Sequence, residues 1–504
     1  MYYLGIDLGS SSVKVSLVDH QSGKAIQTVQ EPRDEMNILS EHPGWAEQDP
    51  EVWWENSCNA IQKICALNAV LPHQIKGIGI AYQMHGLVVV NKEGNLVRNA
   101  IIWCDSRAVA IGETAFHEIG EQTCMHEMLN SPANFTASKL KWVQDHEPQV
   151  YDQIYKAMLP GDYIAYRLSG TIATTKSGLS EGIFWNFDKD EISSTVLSHY
   201  NLDRKLLPEI VPTFGNQGEV SEKGMKESGL AKGTPILYRA GDQPNNALSL
   251  NVLNPGEVAA TGGTSGVLYA VTENLIANEG VKFNNFAHVN HTNSHPRIGK
   301  LLCINGCGIQ YRWLKDQIDL KENSYAEMNQ LASHIAIGAQ GLLCLPFGNG
   351  AERMFDNQTL GTQYQNLNLT KHSKEHLCRA TLEGIAFAFV YGMNLLKKDN
   401  TEIKVIRAGN DNLFRASLFS ETIATLLNQD IEIYDTTGAV GAARAAGIAA
   451  GTIHSITDVI SGKDHIQTYA PKKEKEKYRE AYQNWLSGLE LILGTNEYQK
   501  NDIL

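Results

Sequence analysis

The sequence predicts an α/β protein whose two domains face each other across a cleft. A chain of 504 residues exceeds the roughly 250 to 300 residues at which a single hydrophobic core stops growing. In addition, each half of the chain opens on an apolar run, a Gly/Ser/Thr turn and a second apolar run, IDLGSSSVKV and EVAATGGTSGVLYAV. We therefore expect a duplicated architecture, with one β-turn-β unit at the start of each domain.

Alternating apolar and polar residues predict three strands at the start of the chain. The alternation runs through residues 4–8, resumes at Val13 after the Gly/Ser turn, and is followed by a third run, KAIQTVQ. A helix is then expected to begin at Pro50 with Asp49 as its N-cap. After it, KGIGIAYQMHGLVVV predicts two strands joined by a polar QMHG loop.

The segment NVLNPGE, residues 251–257, is the predicted boundary between the domains. Asn-Pro-Gly interrupts regular structure immediately before the second β-turn-β unit begins. We therefore assign residues 1–250 to the first domain and residues 251–504 to the second. Near the C-terminus, PKKEKEKYREAYQNWLSGL places aromatic residues at helical spacing and predicts an amphipathic helix.

Composition and charge exclude several classes of protein. The 42% hydrophobic and 20% charged residues are typical of globular domains. With 43 Lys+Arg against 56 Asp+Glu, the formal net charge of -13 repels nucleic-acid backbones. The start of the chain lacks a basic leader, and no apolar run is long enough to span a membrane. We expect a cytoplasmic protein without nucleic-acid or membrane partners.

The two Gly/Ser/Thr turns are candidate phosphate-binding sites, because backbone N–H groups in such turns can cradle phosphate oxygens. Asp7, just before the first turn, could hold a magnesium ion. Each turn alone fits an ordinary hairpin better, whereas two of them, one led by an acid, fit phosphate binding and an ordinary hairpin about equally. The P-loop, Rossmann and protein-kinase motifs are missing from the sequence. The turn residues are Gly9, Ser10, Ser11, Gly263, Thr264 and Ser265.

Three further segments carry candidate substrate-binding residues. In LYRAGDQPNNALSL a strand is expected to end at Asp242, where a carboxylate beside amides suits a base that orients a substrate hydroxyl. The alternative is that Asp242 caps a helix beginning at Pro244. His85 in the QMHG loop fits either a polyol ligand or a satisfied core histidine. Asp105 in WCDSR fits either polar substrate binding or an ion pair.

Taken together, these segments resemble the FGGY carbohydrate kinases, and within that family the members that phosphorylate xylulose. The resemblance covers nearly the whole chain and keeps the family's order of motifs. Those motifs are IDLGSSSVK, GWAEQDPEVWW, QMHG, WCDSR, LPGDYIAYRLSG, AGDQ, TGGTSGV, GNGAER, LEGIAFA and RAGNDN.

The resemblance implies the actin-like, ribonuclease-H-like ATPase fold. It places the sugar on the N-terminal domain and ATP in the cleft against the C-terminal domain. The implied reaction is ATP-dependent phosphorylation of D-xylulose at O5. The implied roles are catalytic base for Asp242, sugar contacts for Met84, His85, Asp105 and Gln243, magnesium for Asp7, phosphate contacts for the two turns, and the adenine pocket for Gly409 and Asn410.

Within the resemblance, Gln243 stands where the xylulose-phosphorylating members carry Asn, and this longer amide bears on the choice of sugar. Other FGGY kinases, acting on sedoheptulose, ribulose or a related polyol, are therefore alternatives. A non-kinase actin-like ATPase or a sugar-responsive regulator is a further alternative, and the acidic charge disfavours the regulator. The family also implies a homodimer. With an unperturbed pKa of roughly 3.9, Asp242 would orient the hydroxyl and accept its proton late.

Overall fold

A computed structural model of the protein describes residues 1–276, 282–460 and 464–501. Most of its strands belong to two sheets, one in each half of the chain. In chain order the strands are β1 (Tyr2–Leu8), β2 (Val13–Asp19), β3 (Ala25–Glu31), β4 (Glu47–Gln48), β5 (Ile75–Tyr82), β6 (Val88–Val90), β7 (Ala100–Ile101), β8 (Lys156–Met158), β9 (Ala173–Thr175), β10 (Trp185–Asn186), β11 (Glu191–Ile192), β12 (Glu209–Val211), β13 (Ile236–Gly241), β14 (Glu257–Gly262), β15 (Gly266–Thr272), β16 (Asn284–Ala287), β17 (Ile298–Ile304), β18 (Leu343–Phe347), β19 (Gly361–Gln365), β20 (Val405–Gly409), β21 (Ile431–Tyr434) and β22 (His465–Tyr469).

The helices alternate with these strands, as an α/β sequence predicts. In chain order the helices are α1 (Pro50–Leu67), α2 (Val109–Ile119), α3 (Glu121–Glu127), α4 (Thr136–His146), α5 (Pro148–Tyr151), α6 (Pro160–Ser169), α7 (Lys176–Glu181), α8 (Ser194–Tyr200), α9 (Glu222–Ser228), α10 (Asp242–Ser249), α11 (Gly308–Gln317), α12 (Tyr325–Ser333), α13 (Lys374–Lys398), α14 (Ser417–Leu427), α15 (Gly438–Ala449), α16 (Ile456–Ile460) and α17 (Lys475–Asn501). Short 3₁₀ helices lie at Pro72–Gln74, Arg204–Leu206, Ala339–Gly341, Arg353–Phe355 and Asn412–Arg415.

The first sheet has the strand order β13-β5-β1-β2-β3. Strands β1, β2 and β3 form the predicted antiparallel meander. Strands β5 and β13 run parallel to β1, so the carboxyl ends of β1, β5 and β13 meet at one edge of the sheet. At that edge Tyr82 pairs with Leu8 on one side and with Gly241 on the other. Residues that follow these three strands are therefore brought together.

The second sheet has the strand order β16-β17-β15-β14-β20-β21-β22. Its strands β14 and β15 form the antiparallel hairpin around the second Gly/Thr/Ser turn, and β20 and β21 run parallel to β14. Each half of the chain thus combines a hairpin with adjacent parallel strands. This repeat confirms the duplicated β-turn-β units expected from the sequence.

Two helices predicted from the sequence begin and pack as expected. Helix α1 begins at Pro50, and the Asp49 carboxylate accepts a hydrogen bond from the backbone N–H of Glu51 at 2.9 Å. On helix α17 the side chains of Tyr478, Tyr482 and Trp485 are buried, and the Trp485 indole N–H donates to the Cys344 carbonyl at 2.9 Å. The apolar face of α17 therefore completes the core of the second half.

Helix α15 lies in the second half of the chain but packs on the first sheet. Two strand glycines allow the close approach. A Cβ atom at Gly5 would lie 1.9 Å from the Ala439 carbonyl oxygen, and one at Gly79 would lie 1.9 Å from the Ala442 carbonyl oxygen. The N-terminus of α15 thereby reaches the edge where β1, β5 and β13 end.

Candidate active site

Asp242 directly follows β13, the strand that the sequence predicts to end at this residue. Strand β13 ends at Gly241, which occupies the N-cap position, and Asp242 is the first residue of α10. The helix thus starts two residues before Pro244, and Asp242 does not occupy the capping position. Because β13 is parallel to β5 and β1, Asp242 lies at the sheet edge where those strands end.

The electrostatics of Asp242 differ from the sequence expectation. Burial of its carboxyl, reinforced by the negative charge of Asp7, raises its pKa to about 7. Hydrogen bonds from the amide groups of Gln243 oppose this rise only partly. The expectation of an unperturbed pKa was wrong, because the sequence does not reveal how far two carboxyls are desolvated at one sheet edge.

Asp7 is the second acidic group at this edge. Burial raises its pKa, while the Lys14 ammonium lowers it to a smaller extent. Its carboxylate contacts the first turn of α15, since a Cβ atom at Gly438 would lie 2.4 Å from Asp7 Oδ2. The side-chain amide of Asn245 in turn donates to the Gly438 carbonyl at 2.8 Å. The first turn of α15 therefore packs against the Asp7 carboxylate, and helix α10 is hydrogen-bonded to that turn.

The residues at this edge suit a magnesium ion. Mg²⁺ prefers carboxylate oxygens and is commonly bound by one or two carboxylates together with substrate phosphates. Asp7 and Asp242 supply two carboxylates close enough for the charge of one to shift the pKa of the other. Within the described ranges no cluster of three or more His, Cys, Asp or Glu side chains forms a complete metal site. This edge therefore fits a magnesium ion that takes its remaining ligands from the phosphates of the substrate.

The first Gly/Ser turn, residues 9–11, is anchored on several sides. The backbone N–H of Gly9 donates to the Ser12 carbonyl at 3.0 Å, which closes the turn. The Gln48 side chain donates to the Ser10 carbonyl at 2.7 Å, and the Met36 N–H donates to the Ser11 carbonyl at 2.8 Å. These bonds use the carbonyl groups of the turn and fix its backbone.

The second turn, residues 263–265, is joined to the start of α11. The backbone N–H groups of Gly308 and Ile309 donate to the carbonyls of Gly263 and Thr264, both at 3.0 Å. A Cβ atom at Gly308 would lie 2.3 Å from the Gly263 carbonyl oxygen, so glycine is required for this approach. The turn and the helix N-terminus therefore form one continuous surface.

A cavity of about 470 Å³ opens beside the second turn. Gly409, which ends β20, and Asn410 are not among the residues that line this cavity, and the Asn410 N–H donates to the Tyr434 carbonyl at 2.8 Å. The wall on this side is formed by the residues that follow them, including Asn412 and Arg415. Its other lining residues include Gly263, Thr264, Gly308, Tyr311, Tyr325 and Asn329. The size and the mixed lining suit a nucleoside.

The QMHG loop follows β5 at the same edge as Asp242. Met84 is buried, and a Cβ atom at Gly241 would lie 2.6 Å from its Cγ. The ring Nδ1 of His85 lies 3.0 Å from the Glu181 carbonyl oxygen. Burial, together with the Lys139 ammonium, lowers the pKa of His85 to about 3. His85 is therefore neutral, and because a carbonyl only accepts, Nδ1 carries the proton and Nε2 is left as an acceptor.

Asp105 is fully buried rather than open to the cleft. Its carboxylate pairs with the Arg107 guanidinium at 2.7 Å and accepts the Ala46 N–H at 2.6 Å. The Asp105 carboxylate therefore forms the ion pair that was the alternative interpretation of WCDSR. A contact between Asp105 and a sugar stays a prediction. In the same motif Trp103 is half exposed, and its indole N–H lies 3.4 Å from Ser10 Oγ.

Two buried titratable residues near this edge were missed by sequence reasoning. Glu181 at the end of α7 is fully buried beside the Tyr82 hydroxyl, and burial, reinforced by the negative charge of Asp242, raises the pKa of its carboxyl well above the usual value. Lys139 on α4 is fully buried as well. Neither residue lies in a motif typical of a binding site, so only the packing of α4 and α7 against the first domain reveals them.

The comparisons with known proteins fit this arrangement. The sequence model described as the FGGY family of carbohydrate kinases, N-terminal domain, matches residues 2–249, and the corresponding C-terminal domain model matches residues 258–450. The chain belongs to the FGGY family of carbohydrate kinases. It is therefore a sugar phosphotransferase, and ATP binding follows from the family.

Individual FGGY kinases resemble the chain over almost its full length. A xylulose kinase of Staphylococcus epidermidis is 28% identical over 489 residues, which cover 95% of this chain and 94% of that protein. The crystal structure of xylulose kinase from Rhodospirillum rubrum superposes with a TM-score of 0.88 at 23% identity and covers 98% of this chain and 99% of that one. Plasmodium falciparum glycerol kinase with ADP gives a TM-score of 0.86 at 19% identity, covering 98% of both chains.

These FGGY structures share the two-domain actin-like ATPase fold, which confirms the fold class expected from the sequence. Since structures of kinases named for different substrates superpose about equally well, the fold does not determine the sugar. Among the described residues, no helix has both the length and the apolar character needed to cross a bilayer.

Proposed function

We propose that the protein transfers the γ-phosphoryl group of ATP to O5 of D-xylulose, giving D-xylulose 5-phosphate and ADP. The observation that carries the proposal is the meeting of Asp242 with the QMHG loop at one sheet edge. The similarity to xylulose kinases over nearly the whole chain supports this choice of sugar. In this proposal residues 1–250 bind the sugar and residues 251–504 bind the nucleotide, and the enzyme forms a homodimer.

Asp242 is proposed to act as the catalytic base. Its carboxylate accepts a hydrogen bond from the sugar O5 hydroxyl and directs that oxygen at the γ-phosphorus. As the O5–P bond forms, the bond from phosphorus to the β,γ-bridging oxygen breaks, ADP departs and the hydroxyl proton passes to Asp242. A pKa raised to about 7 makes the carboxylate a better proton acceptor than an ordinary aspartate.

The nucleotide is proposed to bind across the two turns. Backbone N–H groups and hydroxyls of Ser10, Ser11, Gly263, Thr264 and Ser265 would face the phosphates, and Gly9 would close the first turn. The cavity beside the second turn would hold adenosine, with Gly409 and Asn410 just before its wall residue Asn412. Asp7 would hold a magnesium ion, which would supply charge neutralisation on the phosphates when bound.

The sugar is proposed to bind at the QMHG loop. Neutral His85 offers Nε2 as an acceptor for a sugar hydroxyl, while the Met84 side chain supplies an apolar wall beside Gly241. The Gln243 side-chain amide can donate a hydrogen bond to a second sugar hydroxyl or accept one from it. Asp105 contributes by holding the loop that carries Trp103 through its ion pair with Arg107.

A coupled assay of ADP release with Mg-ATP and a ketose panel tests the proposed reaction. The panel contains D-xylulose, L-xylulose, D-ribulose, L-ribulose, sedoheptulose, D-fructose and glycerol, with a blank lacking sugar. We expect saturable ADP release with D-xylulose and the highest kcat/KM for that sugar. A higher kcat/KM for another sugar would overturn the substrate and retain the kinase, whereas ADP release that does not depend on sugar would overturn both.

The raised pKa of Asp242 predicts an acid limb in the pH profile. Protonated Asp242 cannot accept the hydroxyl proton, so kcat/KM for the sugar should fall as the pH drops below about 7. The fall should approach about tenfold per pH unit, because kcat/KM reports the titration of the free enzyme. Initial rates at low sugar concentration, measured across a range of buffers, give the profile. A flat profile down to about pH 5 would contradict the raised pKa.

A further inference from the structure

Lys139 joins the two loops that carry the candidate sugar-binding residues. It lies on α4, and its ammonium group donates one hydrogen bond to the His85 carbonyl at 2.9 Å and another to the Ile102 carbonyl at 2.9 Å. His85 belongs to the QMHG loop, and Ile102 immediately precedes Trp103. One side chain thus sets the spacing between these two loops.

The burial of this ammonium calls for an explanation beyond stability. Lys139 is fully buried, no ion pair among the described residues includes it, and burial lowers the pKa of its ammonium group to about 7. The nearby carboxylate of Asp105 is paired with Arg107 instead. A buried charge is costly, and apolar residues of similar volume often stabilise a protein more than buried charges do. A lysine at this position is therefore better explained by what its two hydrogen bonds hold.

Lys139 holds His85 in an unfavourable backbone conformation. The His85 φ of 60° lies in the left-handed region, which is unfavourable for a residue other than glycine. The hydrogen bond from Lys139 fixes the direction of the His85 carbonyl, while the Glu181 carbonyl fixes the ring through Nδ1. Together these contacts orient His85 Nε2. The positive charge of Lys139 also opposes protonation of the ring.

We propose that Lys139 is a positioning residue for the sugar site, which it builds by fixing the QMHG loop and the loop at Trp103 relative to each other. The inference rests on the proposed role of these loops in sugar binding. Both hydrogen bonds of the Lys139 ammonium go to loops of the proposed sugar site, so loss of this group should weaken sugar binding and leave nucleotide binding intact.

Steady-state kinetics of Lys139→Met test the inference. Methionine fills a similar volume without the charge and without the hydrogen bonds. We expect the KM for D-xylulose to rise at least about tenfold, because small displacements of positioning groups cost this much or more. The KM for ATP should stay within about twofold of the wild-type value. Lys141→Met is the matched control, since Lys141 lies on the same helix and its side-chain partners among the described residues, Gln144 and Asp145, lie on that helix too.

The outcomes are distinguishable from failure of the proposed function. The kinetics of the wild-type enzyme in the same assay decide whether D-xylulose is the substrate. The role of Lys139 is decided by the ratio of the variant's KM to the wild-type KM. Both KM values are measured with the sugar that gives the highest wild-type kcat/KM. If both KM values are unchanged in folded Lys139→Met, or if both rise equally, the positioning role is overturned. If that variant fails to fold, Lys139→Gln, which keeps an N–H donor without charge, is subjected to the same two measurements.

Discussion

Replacing Asp242 by asparagine is expected to lower kcat by about 10³-fold, within the range that general-base catalysis contributes. The amide keeps the size and the polarity of the side chain at the start of α10, so the fold and the nucleotide site should persist. Asparagine cannot take up the proton of the sugar hydroxyl. The measurement is turnover with saturating sugar and Mg-ATP, accompanied by calorimetric titration with ADP to establish that nucleotide binding is retained.

Asp430→Asn provides the matched control for this variant. Asp430 is exposed at the surface between α14 and β21, so the same chemical change there should leave kcat unaltered. Turnover by Asp242→Asn within a few-fold of the wild type would contradict the assignment of the base. Loss of both turnover and ADP binding would instead show that Asp242 holds the fold or the nucleotide.

The local elements of the fold could be predicted because their signals are local. Alternation of apolar residues located β1 and β2, and Asp49 followed by Pro50 located the start of α1. The candidate phosphate turns were visible for the same reason, since a Gly/Ser/Thr cluster between two apolar runs lies within a few residues of sequence.

Contacts between distant segments could not be predicted in this way. The docking of α15 on the first sheet requires glycine at positions 5 and 79, because a side chain at Gly5 or Gly79 would clash with the backbone of α15. That helix lies more than half the chain away in sequence, so the requirement cannot be read from the strands alone. Likewise, Lys139 and Glu181 lie on helices without a binding motif, and their proximity to the QMHG loop depends on tertiary packing. The pKa of Asp242 depends on the same packing, since burial and Asp7 together determine it.

Asp7→Asn is expected to cause the other large loss, about 10²-fold in kcat, which is typical when one group that stabilises transition-state charge is removed. A second effect distinguishes this variant. The charge of Asp7 contributes to raising the pKa of Asp242 to about 7, so its removal should shift the acid limb of kcat/KM to lower pH. The measurements are a Mg²⁺ titration of the rate, where the half-saturating concentration should rise, and the pH profile, with Asp430→Asn as control.

Gly438→Ala separates the position of the Asp7 carboxylate from its charge. An added Cβ atom would lie 2.4 Å from Asp7 Oδ2, so the carboxylate or the first turn of α15 must move. Because the charge is retained, the Mg²⁺ requirement should rise while the acid limb stays near pH 7. If neither Asp7→Asn nor Gly438→Ala changes the Mg²⁺ titration, the carboxylate does not hold the ion. If both variants shift the pH limb equally, displacement rather than charge couples Asp7 to Asp242.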